Sequence, residues 1–223
     1  MKIGLVFGGG FLFVTCILHL IPENLHHEHS PMKLFIVLGF FLQIVLEKFS
    51  EGIEHGHLHL DAPHGHDHHH DHSHYHGKTW TLSLGMLASL SIHSLMEGVP
   101  LGGHFEFNNH GHNPLLAGVL MHKLPSAFAL VTVLHQTGMK KGMLWALLLF
   151  FACMNPLGAL LGSWLQEGQT DSSLHHVFDI LTALATGSFL HISTTILYEN
   201  NDHHKLSPAH LVAAAGGGLI AIW

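Results

Sequence analysis

The stretch Leu90–Gly102, which reads LSIHSLMEGVPLG, places two ionisable side chains inside an apolar segment of this 223-residue chain. His93 and Glu97 are four residues apart, so they lie on the same face of a helix. A charged carboxylate at bilayer depth costs roughly 2.5 kcal/mol or more, so such a residue usually serves pairing, ion passage or proton handling. An imidazole and a carboxylate on one face are also ligands that zinc accepts. The stretch therefore predicts a membrane helix that carries a polar site.

The composition of the whole chain agrees with a membrane location. Apolar residues make up 48% and charged residues only 10%, whereas soluble domains carry about 25% charged residues. Segments of this length satisfy their backbone in lipid as helices, which predicts an all-α, polytopic membrane helix bundle. Seven spans are predicted, at Ile3–Leu20, Lys33–Phe49, Thr79–Leu101, Pro114–Leu134, Met139–Leu165, Val177–Tyr198 and Ala209–Trp223.

Three regions follow from these spans: two helices in residues 1–50, a polar insert in residues 51–78 and five helices in residues 79–223, which carry the site. The insert holds eleven histidines, and aspartates are interleaved with them. It has little apolar surface to bury, and His-rich tracts are typical of metal binding. The insert is therefore predicted to capture metal loosely or to sense it.

The lysines predict an orientation. The chain has eight lysines and no arginine, and alternate numbering of the loops places six of the lysines on the side of the N-terminus. The positive-inside rule makes that side cytoplasmic, and the insert then lies in the cytoplasm. We expect an integral protein of the cell membrane, either plasma or inner membrane. The six lysines are Lys2, Lys48, Lys78, Lys140, Lys141 and Lys205.

Further polar residues follow inside the apolar spans. His122 and Ser126 repeat the four-residue spacing around Pro125, and Asn155 stands beside a proline in the next span. Gly98, Pro100 and Gly102 are expected to weaken the helix after Glu97, and the freed backbone could help to coordinate an ion. A metal site is the hypothesis that these residues favour, and hydrogen bonding between packed helices is the alternative for each one alone.

These residues resemble the ZIP (Zrt/Irt-like) divalent-metal transporters. His93–Gly98 is similar to the fourth-helix motif His-Asn-x-x-(Asp/Glu)-Gly except at Ser94, and His122–Ala127 is similar to the fifth-helix motif His-Glu-x-Pro-His-Glu. Leu18–Glu23, Asn155–Gly158 and Gly187–Leu190 resemble the ends or motifs of the second, sixth and seventh helices. The family usually has eight helices, so the resemblance implies that its first helix has no counterpart here.

The resemblance implies a ligand set and a cargo. The primary metal site would come from His93, Glu97 and His122, with Ser126 and Asn155 at the remaining ligand positions. Lys123 stands where many members have an acidic ligand, which implies a single-metal variant. Zn²⁺ is the expected transported ion, and a site of nitrogen and oxygen ligands is also compatible with Fe²⁺, Mn²⁺ or Ni²⁺.

The expected activity is movement of a divalent cation toward the cytoplasm by a protein that is not an enzyme. The expected partners are the metal ion and the lipid membrane, without nucleic acid. A homodimer is also possible, but no sequence feature establishes it. Three alternatives stay open at this point: a metal exporter of the cation-diffusion type, an intramembrane zinc-dependent hydrolase and a metal sensor that does not transport. Neither an HExxH nor a GxSxG pattern is present to favour a hydrolase.

Overall fold

The computed structural model describes residues 2–25, 31–50, 75–103, 114–167, 172–199 and 208–222. Among these residues the regular structure is helical throughout, and no strand occurs. The His-rich insert falls outside the described residues except for residues 75–78, the first turn of the helix that follows it. The helices are α1 (Lys2–Thr15), α2 (Ile21–Leu25), α3 (Met32–Ser50), α4 (Tyr75–Gly103), α5 (Pro114–Gln136), α6 (Lys141–Glu167), α7 (Ser172–Glu199) and α8 (Pro208–Ala221).

The predicted spans agree with these helices to within a few residues at most ends. The first span continues through a π-helical turn at Cys16–Leu20 into α2, where Pro22 has no N–H with which to continue the ordinary ladder. Five stretches of helix are long and apolar enough to cross a membrane by length and composition, and they belong to α1 with α2, α4, α5, α6 and α7. Helix α8 is shorter, and α3 carries Lys33, Glu47 and Lys48 near its ends.

Three pairs of helices approach closely through glycines. A methyl group on Gly98 or Gly102 of α4 would overlap the backbone of α6, and Gly158 and Gly162 of α6 meet α4 in the same way. The contacts advance in the same direction along both helices, so α4 and α6 are parallel. Small residues allow such close backbone approach inside a membrane.

The other two close pairs are also parallel. Gly39 of α3 and Gly187 of α7 lie against each other's helix backbone, and Gly10 of α1 lies against Ala214 of α8. Parallel pairing of the first span with the seventh, the second with the sixth and the third with the fifth is what alternate crossing of a membrane by seven helices requires.

Gly98, Pro100 and Gly102 do not interrupt α4, so the expectation that they weaken it and free its backbone is wrong. The helix continues to Gly103 with Pro100 inside it. The glycines serve the packing against α6, where the carbonyl oxygens of Asn155 and Ala159 occupy the space that a side chain would need. Helix α5 likewise continues through Pro125.

Two apolar clusters bracket the polar stretch of α4. One packs α1, α5 and α7 around Leu12, Val119 and Phe189, and the other packs α4, α5 and α6 around Leu90 and Leu130. Many large apolar side chains instead face outward, as they do on a surface that meets lipid. The clusters hold α4 and α5 in a fixed register, which determines where their polar residues meet.

Candidate metal site

The structure brings His93, Glu97 and His122 together between α4 and α5. One ligand atom from each residue lies within 4.8 Å of the others. The carboxylate of Glu97 is fully buried, and the imidazoles of His93 and His122 are buried as well. This is the single group of three or more such ligands that could hold an ion among the described residues.

Both imidazoles point their Nε2 atoms at the same carboxylate oxygen. Nε2 of His93 lies 2.8 Å and Nε2 of His122 lies 2.5 Å from Oε1 of Glu97. Ligand atoms of a tetrahedral zinc ion, with bonds of about 2.0–2.2 Å, stand about 3.3 Å apart. Each imidazole nitrogen therefore needs to move less than about 1 Å away from Oε1 for a zinc ion to take the place of these hydrogen bonds.

Hydrogen bonds at the far side of each ring orient the two imidazoles. Nδ1 of His122 lies 3.0 Å from the carbonyl oxygen of Gly118, which can only accept. Nδ1 of His93 lies 3.3 Å from Oγ of Ser188, whose hydroxyl donates to Oε1 of Gln43 at 2.7 Å. Each Nδ1 is therefore the donor in its contact, and a metal ion that binds at Nε2 takes the place of the proton that Nε2 donates to Glu97.

The charge on Glu97 is balanced by Lys123. Nζ of Lys123 lies 2.5 Å from Oε2 of Glu97, so one carboxylate oxygen faces the imidazoles and the other faces an ammonium group. An ammonium cannot coordinate a cation because it has no lone pair. Lys123, which stands where many members of the resembled family have an acidic ligand, is therefore a direct partner of Glu97.

Ser126 and Asn155 stand differently from the other candidates. The Ser126 hydroxyl is buried next to His122 but donates to the His122 carbonyl at 3.3 Å. Asn155 is half-buried, and its backbone carbonyl packs against Gly98. Their part in binding a metal stays a prediction, as does that of the three residues which the structure groups together.

Several residues that shape the site were missed in the sequence analysis. Gln43 and Ser188 orient His93, and the carbonyl of Gly118 orients His122. A polar side chain within an apolar span is the signal that could have identified Gln43. A backbone carbonyl leaves no such signal, because every residue has one.

The chain matches known proteins over most of its length. The family model described as ZIP zinc transporter matches residues 59–222. Zinc transporter ZIP1 of Danio rerio is 29% identical over an alignment length of 222. The match covers 84% of this chain and 72% of the relative. Zinc transporter ZIP1 of Homo sapiens is 28% identical over 84% of this chain and 66% of the relative.

A further relative is less similar in sequence. Zinc transporter ZIP9-B of Xenopus laevis is 22% identical over 87% of this chain and 73% of its own length. No solved structure matches the chain. The chain thus spans about two thirds to three quarters of the length of these relatives.

Fold and sequence together define a polytopic helical membrane protein with a buried cluster of imidazoles and a carboxylate. The family model matches more than half of this chain, which shows that the chain belongs to the ZIP zinc transporter family.

Proposed function

We propose that this chain carries a divalent cation, with zinc as the preferred ion, across the membrane toward the cytoplasm through a site formed by His93, Glu97 and His122. The observation that supports it most directly is the convergence of three buried ligand atoms within 4.8 Å. The printed names of the relatives describe zinc transporters.

The chemistry of the three ligands favours zinc and its neighbours. Two neutral imidazole nitrogens and one carboxylate oxygen make a mixed site without thiolate, which zinc accepts. A transported ion also needs a binding site that it can leave, and fewer than four strong protein ligands suit that purpose. Ser126 or Asn155 could complete the coordination with a neutral oxygen.

Lys123 gives the site a resting state without metal. A buried carboxylate with no partner would destabilise the protein, and the ammonium of Lys123 supplies that partner. An incoming divalent cation takes over the carboxylate from the ammonium. The side chain of Lys123 is 17% exposed, so it has room to withdraw.

The proposed direction of transport is toward the side that carries the His-rich insert. The parallel pairs of helices support alternate crossing, and the distribution of the lysines supports a cytoplasmic N-terminus and a cytoplasmic insert. Metal that leaves the site on that side meets the histidines of residues 51–78. Their role in receiving it is part of this proposal, and we place the protein in the plasma or inner membrane on the same grounds.

The test is uptake of radiolabelled zinc into proteoliposomes that contain the full chain. We expect Glu97→Ala to reduce uptake to the level of empty liposomes, because the two imidazoles alone cannot neutralise any charge of the ion. Glu97→Gln keeps the shape of the side chain and should also lose uptake. Glu167→Ala, which removes an exposed carboxylate at the end of α6, should transport like wild type.

Thermal unfolding and gel filtration of each variant separate loss of the site from loss of the fold. Uptake by folded Glu97→Gln at the wild-type rate would refute the site. Zinc efflux in place of uptake would favour an exporter, and lipid turnover without zinc flux would favour a hydrolase. Zinc binding by wild type without any flux would favour a sensor.

A further inference from the structure

Gln43 places a primary amide deep inside the protein, in the second half of α3. Its side chain is fully buried, although Phe41, Ile44 and Val45 beside it face outward. An amide in apolar surroundings destabilises a protein unless its polar atoms are hydrogen-bonded. The oxygen of this amide has a partner on another helix, because Oε1 of Gln43 accepts the hydroxyl proton of Ser188 at 2.7 Å. The amide thus acts on a residue that touches the candidate metal site.

The close approach of α3 and α7 brings these two side chains together. A methyl group on Gly187 would overlap the carbonyl of Ile36, and Ser188 is the next residue. Gln43 lies one turn beyond Gly39, which meets the backbone of α7 in the same way. The glycine contacts already account for the packing of α3 on α7, so the hydrogen bond needs a different explanation.

The Ser188 hydroxyl donates in a different direction from its neighbours on α7. Thr186, Ser193 and Thr195 donate to carbonyl oxygens of their own helix, which is a common arrangement for hydroxyls in helices. Ser188 donates across to α3 instead. A hydroxyl has only one proton, so the Ser188 oxygen accepts in its contact with Nδ1 of His93, at 3.3 Å.

The direction of these hydrogen bonds decides which nitrogen of His93 is given to the ion. An imidazole that keeps its proton on Nδ1 coordinates through Nε2, the atom that points at Glu97. If Ser188 donated to Nδ1, a neutral ring would carry its proton on Nε2 and would have no lone pair there. Hydrogen bonds behind a metal-bound imidazole also raise its basicity, and bonds in a chain strengthen one another.

We propose that Gln43 is a positioning residue for metal binding, which acts through Ser188 to hold His93 in the form that presents Nε2 to the ion. This inference rests on the proposed transport function and extends it to α3, a helix that supplies none of the three proposed ligands. The amide oxygen fixes the hydroxyl proton of Ser188, and the hydroxyl oxygen fixes the proton on Nδ1. Without the amide oxygen, the hydroxyl can turn toward Nδ1 or toward the carbonyls of its own helix.

The experiment measures initial rates of zinc uptake against zinc concentration in proteoliposomes of the full chain, and the rise in melting temperature that zinc produces. Gln43→Leu removes the acceptor, whereas Gln43→Glu keeps one. Ser188→Ala removes the hydroxyl, whereas Ser188→Thr keeps it. Asn24→Leu is the matched control for the amide, because Asn24 is also buried and donates to Thr186 of the same helix α7.

We expect Gln43→Leu and Ser188→Ala each to raise KM for zinc about tenfold, as does removal of an outer partner of a metal-bound histidine. Zinc should raise the melting temperature of both variants less than that of wild type. The double variant should have the KM of Ser188→Ala alone, because Gln43 acts through Ser188.

The conservative variants and the controls should behave differently. Ser188→Thr should keep KM near the wild-type value, and Gln43→Glu should have a lower KM than Gln43→Leu. This advantage of Gln43→Glu should vanish when Ser188→Ala is also present, whereas simple attraction of the ion by the added charge would persist. Asn24→Leu should keep KM even if its melting temperature falls. Ser193→Ala, which removes a buried hydroxyl bonded within α7, should keep KM as well.

The order of the two Gln43 variants separates positioning from packing. Leucine suits an apolar helix contact better than a buried glutamate does, so a packing role predicts that Gln43→Leu performs at least as well as Gln43→Glu. Such an order would overturn the proposal, as would a wild-type KM in Gln43→Leu or additive losses in the double variant. Should Gln43→Glu fail to fold, equal KM values for Ser188→Thr and Ser188→Ala would overturn it.

The melting temperatures keep this inference separate from the transport function. Wild type that takes up no zinc would refute transport, and the zinc-dependent rise in melting temperature would then decide about Gln43. An equal rise in wild type and Gln43→Leu would refute the positioning role alone. A smaller rise in Gln43→Leu, with an unchanged rise in Asn24→Leu, would support it.

Discussion

Lys123 places its ammonium group against Glu97, the anionic member of the candidate site. Its ammonium lies 2.5 Å from Oε2 of the carboxylate, on the side away from the imidazoles. At an effective dielectric constant of about 20, two unit charges 4 Å apart interact by about 4 kcal/mol. Lys123 therefore stabilises the protein without metal and opposes the binding of a divalent cation.

We expect Lys123→Gln to bind zinc more tightly. Removal of the ammonium relieves its repulsion of the ion and leaves Glu97 in need of a cation, so KM for zinc uptake should fall by at least about tenfold, or about 1.4 kcal/mol. The melting temperature without metal should fall as well, and added zinc should restore it. Uptake kinetics and thermal unfolding with and without zinc measure these effects.

Two lysine variants provide the comparison for this prediction. Lys123→Arg keeps the charge and should keep KM near the wild-type value. Lys140→Gln removes an exposed lysine outside the helices and should change neither KM nor stability. An unchanged KM in Lys123→Gln would mean that the ion pair does not compete with the metal.

The helix pair α4 and α6 fixes the position of the ligands on α4. Its glycines meet the backbone of the partner helix, and the bulk of a methyl group at Gly102 would overlap the carbonyl of Ala159. We expect Gly102→Ala to lower the melting temperature and the yield of folded protein, because the two backbones must move apart. Thermal unfolding and gel filtration in detergent measure the loss.

Gly142 on α6 gives a matched control for this substitution. A methyl group there meets nothing within 4 Å, so Gly142→Ala should leave stability unchanged or raise it by about 0.5–1 kcal/mol through helix propensity. Equal melting temperatures for the two alanine variants would contradict the close packing of α4 and α6.

The elements also show what the sequence could and could not predict. The spans were predicted because apolar length is a local property of the chain. The use of Gly98 and Gly102 was misjudged, because their role depends on which helix lies opposite. His93 and Glu97 could be paired from their spacing on one helix, whereas His122 needed a second helix and the family motif.

Other parts of the site required the fold itself. The hydrogen bonds that join His93 to Ser188 and Ser188 to Gln43 connect groups that no spacing relates to a metal ligand. These contacts depend on the arrangement of α3, α4 and α7 relative to one another.

At the scale of the molecule, the outward-facing surface of the described helices fits a lipid bilayer. Helix α6 is the least buried of the long apolar helices, and Trp145 and Trp164 are 69% and 59% exposed near its two ends. An ideal helix places these two positions about 28 Å apart, close to the roughly 30 Å thickness of the hydrocarbon core. Tryptophan concentrates at both interfaces of membrane proteins.

We therefore expect both tryptophans to lie at interfacial depth when the protein is in a bilayer. Variants with only Trp145 or only Trp164, the other tryptophans being replaced by phenylalanine, are reconstituted in lipids brominated at shallow or deep positions of the acyl chain. Shallow bromines should quench each tryptophan more than deep ones. Leu157→Trp in the variant without other tryptophans lies between them on an exposed position of α6 and should show the reverse order. Stronger quenching of Trp145 or Trp164 by deep bromines would contradict this placement. It would also contradict the expectation that His93, Glu97 and His122 lie within the bilayer.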